Sequence, residues 1–218
     1  MSIYALEKRI LVIGASRGIG LETTKAACET GWAVTAFSRH ASELAYHHEH
    51  LTKIDGDALV ADDLAPALRD VDAVVLSLGV PFNLQLFTGP ITLFSSATRV
   101  VLEQMQQQQV KRLVCVTGFG AGDSIDAIHP LQRLGFNLVF GRAYADKSAQ
   151  EAAIKSSPLA WTIVRPGVLT NGKQTPYKTL VTPETWRNGI ISRANVADFV
   201  INAIAQDSYI GEAPVLIS

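Results

Sequence analysis

A doubly wound α/β fold, with a mainly parallel sheet and helices on both faces, is what this sequence predicts, on three observations. Short apolar runs alternate with stretches of helical length along the chain. The runs lack polar alternation, which marks strands buried on both faces. A glycine-rich turn, Gly14-Ala-Ser-Arg-Gly-Ile-Gly20, joins the first such run to the first helical stretch. Repeated strand–helix–strand units with right-handed crossovers leave few other topologies.

In chain order, Arg9-Ile-Leu-Val-Ile13 is the first strand. Residues 19–30 read as a helix, with Gly31 at its C-terminal cap. Residues 32–37 form a second strand, and 42–48 a weak helix leading to a third strand at 51–54. A helix at 62–68 precedes strand four at 73–77. Residues 92–109 make a long helix whose Gln106–Gln109 end is solvated, followed by strand five at 112–116. A helix at 143–156, strand six at 161–164, a helix at 194–205 and a last strand at 214–217 complete the pattern. No internal repeat appears.

The 218 residues suit one domain, 1–218, with substrate-side loops near 79–90, 117–142 and 166–193. A chain of this length buries roughly 70% of its unfolded surface, enough for a core. Apolar residues make up 48% and charged residues 18%, and the formal net charge is −1, so nothing asks for nucleic acid. No apolar run approaches the ~18 residues of a membrane span. Cys28 and Cys115 are too few for a disulfide framework and read as inert core thiols. The expectation is a reducing, cytoplasmic setting, a small-molecule partner, no membrane, and a monomer or small homo-oligomer. His47, His48 and His50 lie between a weak helix and a strand without a second ligand cluster. They read as a solvated loop, and no metal is expected.

Ligands of such sheets bind beyond the carboxyl ends of the strands, at the switch point. The glycine loop lies there. Its glycines let backbone approach a pyrophosphate, and the next helix offers N–H groups and a partial positive charge. A ligand-free tight turn is the bland alternative. The strand before and helix after the loop argue against it. Strand two ends Phe37-Ser38-Arg39-His40, with no acid to accept from a ribose 2′-hydroxyl. Arg39 and Arg17 can instead clamp a 2′-phosphate, with Ser38 donating a hydrogen bond. Two solvated arginines are the competing picture. Asp57 reads equally as a contact to adenine or as a turn carboxylate.

Beyond the loop, Gly56-Asp57, Asp72-Ala-Val-Val-Leu-Ser-Leu-Gly79, Val110-Lys-Arg-Leu-Val-Cys-Val-Thr117 and Trp161-Thr-Ile-Val-Arg-Pro-Gly167 resemble the atypical branch of the short-chain dehydrogenase/reductase superfamily. That branch includes NmrA-like proteins and the biliverdin reductase B/flavin reductase group. The resemblance covers essentially the whole chain and implies a single-domain Rossmann fold. The glycine loop departs from it, because its Gly-x-x-x-Gly-x-Gly spacing is that of the superfamily's main branch. The resemblance implies NADP(H) in preference to NAD(H). It also implies cofactor contacts from Gly14, Ser16, Arg17, Gly18, Ile19, Gly20, Ser38, Arg39, Asp57, Ala58, Leu78, Gly79, Thr117, Lys147, Pro166 and Val168.

Main-branch enzymes use Ser, Tyr and Lys, with Tyr four residues before Lys. Lys147 resembles that Lys, but position 143 holds Ala. Tyr144 is one residue out of register, rotated by ~100° on a helix, and reads either as a substrate wall or as a displaced catalytic acid. Thr117 replaces the Ser, as an orienting hydroxyl or as a turn cap. Val80, Pro81, Phe82, Leu84, Leu86, Phe87, Phe136 and Phe140 are available for an apolar acceptor pocket. His129 and residues 123–126 either gate entry or make a turn. Three functions compete: an NADPH-dependent reductase of a planar conjugated acceptor, a non-enzymatic NADP(H) sensor of NmrA type, and a carbonyl reductase or epimerase-like enzyme.

Overall fold

A computed structural model describes residues 8–79, 92–128 and 130–218, and within 130–139 only the backbone and the Arg133 side chain. Strand β1 (Arg9–Ile13) leads through the glycine turn into α1 (Gly18–Glu29), then β2 (Ala33–Ser38) and β3 (Leu51–Asp55). Next come α2 (Ala61–Ala67), β4 (Ala73–Leu76), α3 (Leu93–Gln107) and β5 (Arg112–Val116). A 3-10 turn at Gly122–Ala127 precedes α4 (Pro130–Lys155) and β6 (Ala160–Pro166). The last part holds β7 (Val168–Thr170), β8 (Lys178–Leu180), a 3-10 turn at Pro183–Thr185, β9 (Ile190–Ser192), α5 (Arg193–Ala205) and β10 (Val215–Ile217).

Eight strands form one sheet in the order β3-β2-β1-β4-β5-β6-β10-β8, parallel except for β8 against β10. This is the doubly wound Rossmann order, and its direction reverses between β1 and β4. The continuous apolar runs have a simple cause. Ile10 and Val12 pack on the α1 and α5 side, while Leu11 and Ile13 pack on the side of α2, α3 and α4. In β5, Val114 and Val116 face the first layer, and Leu113 and Cys115 the second. Arg112 staples the far end of the sheet. Its guanidinium donates to the carbonyls of Leu113, Ala160, Ala203 and Ser208 and to the Thr162 hydroxyl. Ala203 lies in the last turn of α5, where a cation is favoured by the helix dipole.

Three expectations change. Residues 42–48 form no helix. Ser42 is held by Asp55 through its N–H and hydroxyl, and Lys53 donates to the Leu44 carbonyl, so side chains shape this turn. Helix α4 begins at Pro130, thirteen residues before 143, so the expected loop 117–142 is half helix. Pro suits the first helical position, and Gly135 and Gly141 cost about 1 kcal/mol each without stopping a helix of 26 residues. The expected loop 166–193 contains β7, β8 and β9, with β7 and β9 paired in parallel as a separate ribbon. The expected loop 79–90, with Val80 through Phe87, lies outside the described residues beyond Gly79, as does His129. The same holds for the side chain of Phe136.

Candidate active site

The carboxyl ends of the central strands open onto one cleft of about 1400 Å³. Its floor is stitched by backbone. Gly14 N–H donates to the Phe37 carbonyl at 2.9 Å, Ser77 N–H to Ile13 at 2.9 Å, and Gly56 N–H to Ser38 at 3.0 Å. The three loop glycines are required for different reasons. Gly14 has φ +87°, and a Cβ there would collide with the Ser77 carbonyl oxygen. A Cβ on Gly20 would collide with the Gly14 carbonyl oxygen, so Gly20 lets α1 lie close on its own loop. Gly18, at φ +61°, opens the first turn of α1 onto the cleft, and the nearest atom to its absent Cβ is Arg193 Nε at 3.8 Å.

At the β2 end stand Ser38, Arg39 and Arg17. Both arginines are exposed, and neither guanidinium makes a hydrogen bond or ion pair among the described residues. The Ser38 hydroxyl oxygen is buried without a partner among the described residues, a state that a ligand's phosphate oxygen would relieve. Asp57 lines the cleft while its Oδ1 accepts the Leu59 N–H at 3.0 Å, so its turn role is present. The cations on the cleft wall are Arg17, Arg39, Lys147 and Arg193, against the carboxylates Glu22 and Asp57. This surplus suits a polyanion. The orphaned Ser38 hydroxyl, the open Gly18 turn and the cationic rim together fit the phosphates of a dinucleotide.

At the opposite end, Asp146 accepts the Phe94 N–H at 2.8 Å and thereby caps α3 from α4. The next residue, Lys147, holds its Nζ 4.3 Å from the centroid of the Phe94 ring. Burial pushes its ammonium down to about 8, against the opposing pull of Glu151 and Asp146. Tyr144 follows Ala143 on the same wall, and a Cβ on Gly118 would sit 2.7 Å from its hydroxyl. Burial raises the Tyr144 phenol above its ordinary value. A Lys-activated Tyr would show the opposite shift. Phe140 meets Tyr144 edge-on with ring centroids 6.3 Å apart.

Thr117 donates its hydroxyl hydrogen to Glu151 Oε1 at 2.7 Å, which leaves it acceptor capacity toward the cleft. Glu151 is 1% exposed and accepts from Arg165 Nε at 3.1 Å and from Arg165 Nη2. Nη2 also donates to Asp123, and Lys155 reaches that carboxylate at 3.3 Å. Burial would raise Asp123, but Arg165 and Lys155 hold it below the usual carboxylate range. The Arg165 guanidinium lies 4.9 Å from the Trp186 ring centroid. Thr117 is thus the inner end of a buried ionic chain that ends on the outer 3-10 turn.

All the expected cofactor and catalytic residues line the cleft except two. Gly20 acts in packing, and Val168 is 58% exposed on β7, away from the cleft. Sequence reasoning missed Arg193, Asn171, Gly172 and Phe94 on the cleft wall and treated Glu151 only as a landmark. One signal was present. Arg165 lies in an apolar strand, and a buried arginine must find acceptors for its donors, carboxylates or carbonyls.

The sequence profile of the NAD(P)H-binding family matches residues 14–207. An uncharacterized chloroplastic protein of Arabidopsis thaliana is 28% identical over 206 residues, covering 92% of this chain and 73% of its own length. Among solved structures, ChuY, described as an anaerobilin reductase of Escherichia coli O157:H7, superposes with a TM-score of 0.80 at 24% identity. That match covers 96% of this chain and 97% of ChuY. A short-chain dehydrogenase/reductase of Veillonella parvula, in complex with NADP, gives 0.78 at 17% identity over 97% of this chain and 94% of its own. At these identities the solved structures speak for the fold, and the profile match over most of the chain speaks for the family. The chain belongs to the NAD(P)H-binding family.

Proposed function

We propose that the chain is an NADP(H)-dependent oxidoreductase that passes hydride to a planar conjugated acceptor such as a flavin or quinone. One observation carries this reading. A single cleft joins a cationic rim at Arg17 and Arg39 to an aromatic end at Phe140 and Tyr144, without an in-register Tyr-Lys acid. The similarity to ChuY, described as an anaerobilin reductase, supports a reductase. The dinucleotide, when bound, supplies the hydride. Lys147 donates to ribose hydroxyls, Thr117 accepts from a ligand donor, and the half-buried Phe140 and Tyr144 rings offer flat apolar surface to the acceptor. A conjugated acceptor takes the accompanying proton from water, so no positioned acid is needed.

The test is NADPH oxidation with flavin, quinones and simple carbonyls as acceptors. Tyr144→Phe retains most activity toward flavin or quinone, whereas Lys147→Ala lowers it and raises the KM for NADPH. A positioned acid contributes ~10²–10⁴-fold. A fall of that size in Tyr144→Phe, with NADPH affinity intact, overturns this reading in favour of a carbonyl reductase with a displaced Tyr. Tight NADPH binding with no turnover of any acceptor overturns it in favour of a sensor.

A further inference from the structure

Among the described cations of the cleft wall, Arg193 has so far been counted for its charge and matched to no particular group of the dinucleotide. Arg193 is the first residue of α5, and its side chain is half-buried in the cleft wall. Its Nη1 donates to Asn171 Oδ1 at 2.6 Å. No hydrogen bond from Nε or Nη2 is found among the described residues. Nε stands 3.8 Å from the position of a Cβ on Gly18, directly across from the first turn of α1. The first N–H groups of that turn lack intrahelical partners, and Gly18 and Ile19 line the cleft. The N-cap residue Arg17 adds no side-chain cap to them.

We propose that Arg193 is a pyrophosphate ligand, closing from α5 on the anion that the glycine turn of α1 holds from the other side. The inference rests on the dinucleotide reading above and extends it to a residue outside the glycine loop. The tether explains why the guanidinium stays in place. Asn171 fixes one nitrogen, and the segment carrying Asn171 is itself pinned. Thr175 N–H donates to Asn195 Oδ1 at 2.8 Å, and Asn195 Nδ2 donates to the Thr175 hydroxyl at 3.2 Å. Asn195 is fully buried. The arginine is therefore pre-positioned with two nitrogens still to donate, a geometry that suits bidentate phosphate recognition.

Arg193 and Arg39 then have separable tasks. The pyrophosphate is common to NADPH and NADH, whereas the 2′-phosphate belongs to NADPH alone. Calorimetric titration of Arg193→Gln weakens both dinucleotides by the same factor, ~10–100-fold for lost charge-assisted bonds. Adenosine 2′-phosphate, which lacks the pyrophosphate, binds this variant as it binds the wild type. Asn171→Ala, at an exposed position, weakens both dinucleotides a few-fold by freeing the guanidinium. It serves as the readout if Arg193→Gln does not fold. Unchanged affinity for both dinucleotides in the folded variants overturns the proposal, as does a loss confined to NADPH. In either case a wild-type protein that binds NADPH leaves the dinucleotide reading standing. A wild-type protein that binds neither dinucleotide removes both.

Discussion

Gly18→Val yields no measurable NADPH binding in a protein that still folds. The backbone at Gly18 faces the cleft, and a Cβ there meets nothing but Arg193 Nε at 3.8 Å. A valine side chain would therefore project into the space where a pyrophosphate must approach the first N–H groups of α1. Hydrogen bonds to charged groups contribute ~1.5–3 kcal/mol each, so losing two raises Kd by ~10²–10⁴-fold or more. The positive φ of +61° adds strain of about 1–2 kcal/mol, which lowers stability but spares the fold. Gly20→Val is the contrast. Its side chain would collide with the Gly14 carbonyl oxygen, so it damages folding itself. Native circular dichroism with unchanged NADPH affinity in Gly18→Val would contradict the placement of the pyrophosphate.

Arg165→Met lowers the free energy of unfolding by ~3–5 kcal/mol, the cost of stranding one partner of a buried ion pair. Arg165 has no exposed surface and Glu151 has 1%. Removing the guanidinium leaves the Glu151 carboxylate with the Thr117 hydroxyl as its remaining hydrogen-bond donor among the described residues. Replacing both, in Arg165→Met with Glu151→Leu, recovers most of the loss, because an apolar pair of similar volume needs no compensation. Urea denaturation of both variants measures this. A cost below ~1 kcal/mol for Arg165→Met would show the chain from Thr117 to Asp123 to be a minor term. Arg112 marks the difference between two buried arginines. Among the described residues its hydrogen-bond partners are carbonyls and one hydroxyl at the far end of the sheet, with no carboxylate.

The central sheet was legible because burial on both faces leaves a plain mark. Arg9–Ile13 and Arg112–Val116 read as strands with their observed bounds. The glycine turn and the basic end of β2 were legible for the same reason, since both follow such strands directly. What stayed hidden depends on contacts distant in sequence. Strands β7, β8 and β9 have three residues each, too short for any periodicity. The start of α4 was masked by Gly135 and Gly141, whose local cost the rest of a long helix outweighs. Arg193 lies more than 170 residues from Gly18 in sequence, and only the packing of α5 beside α1 brings them together. Tyr144 shows the value of register: its misfit with Lys147 is visible in the sequence alone.

The most direct test of the account is titration of the wild-type protein and of Arg39→Ala with NADPH and with NADH. Arg39 stands exposed beside the orphaned Ser38 hydroxyl and has no acidic neighbour within strand β2. A guanidinium on the 2′-phosphate contributes ~1.5–3 kcal/mol, so the wild type binds NADPH ~10–100-fold more tightly than NADH. Arg39→Ala removes that margin and leaves NADH affinity unchanged. Equal affinities in the wild type, or a preference for NADH, would contradict the account.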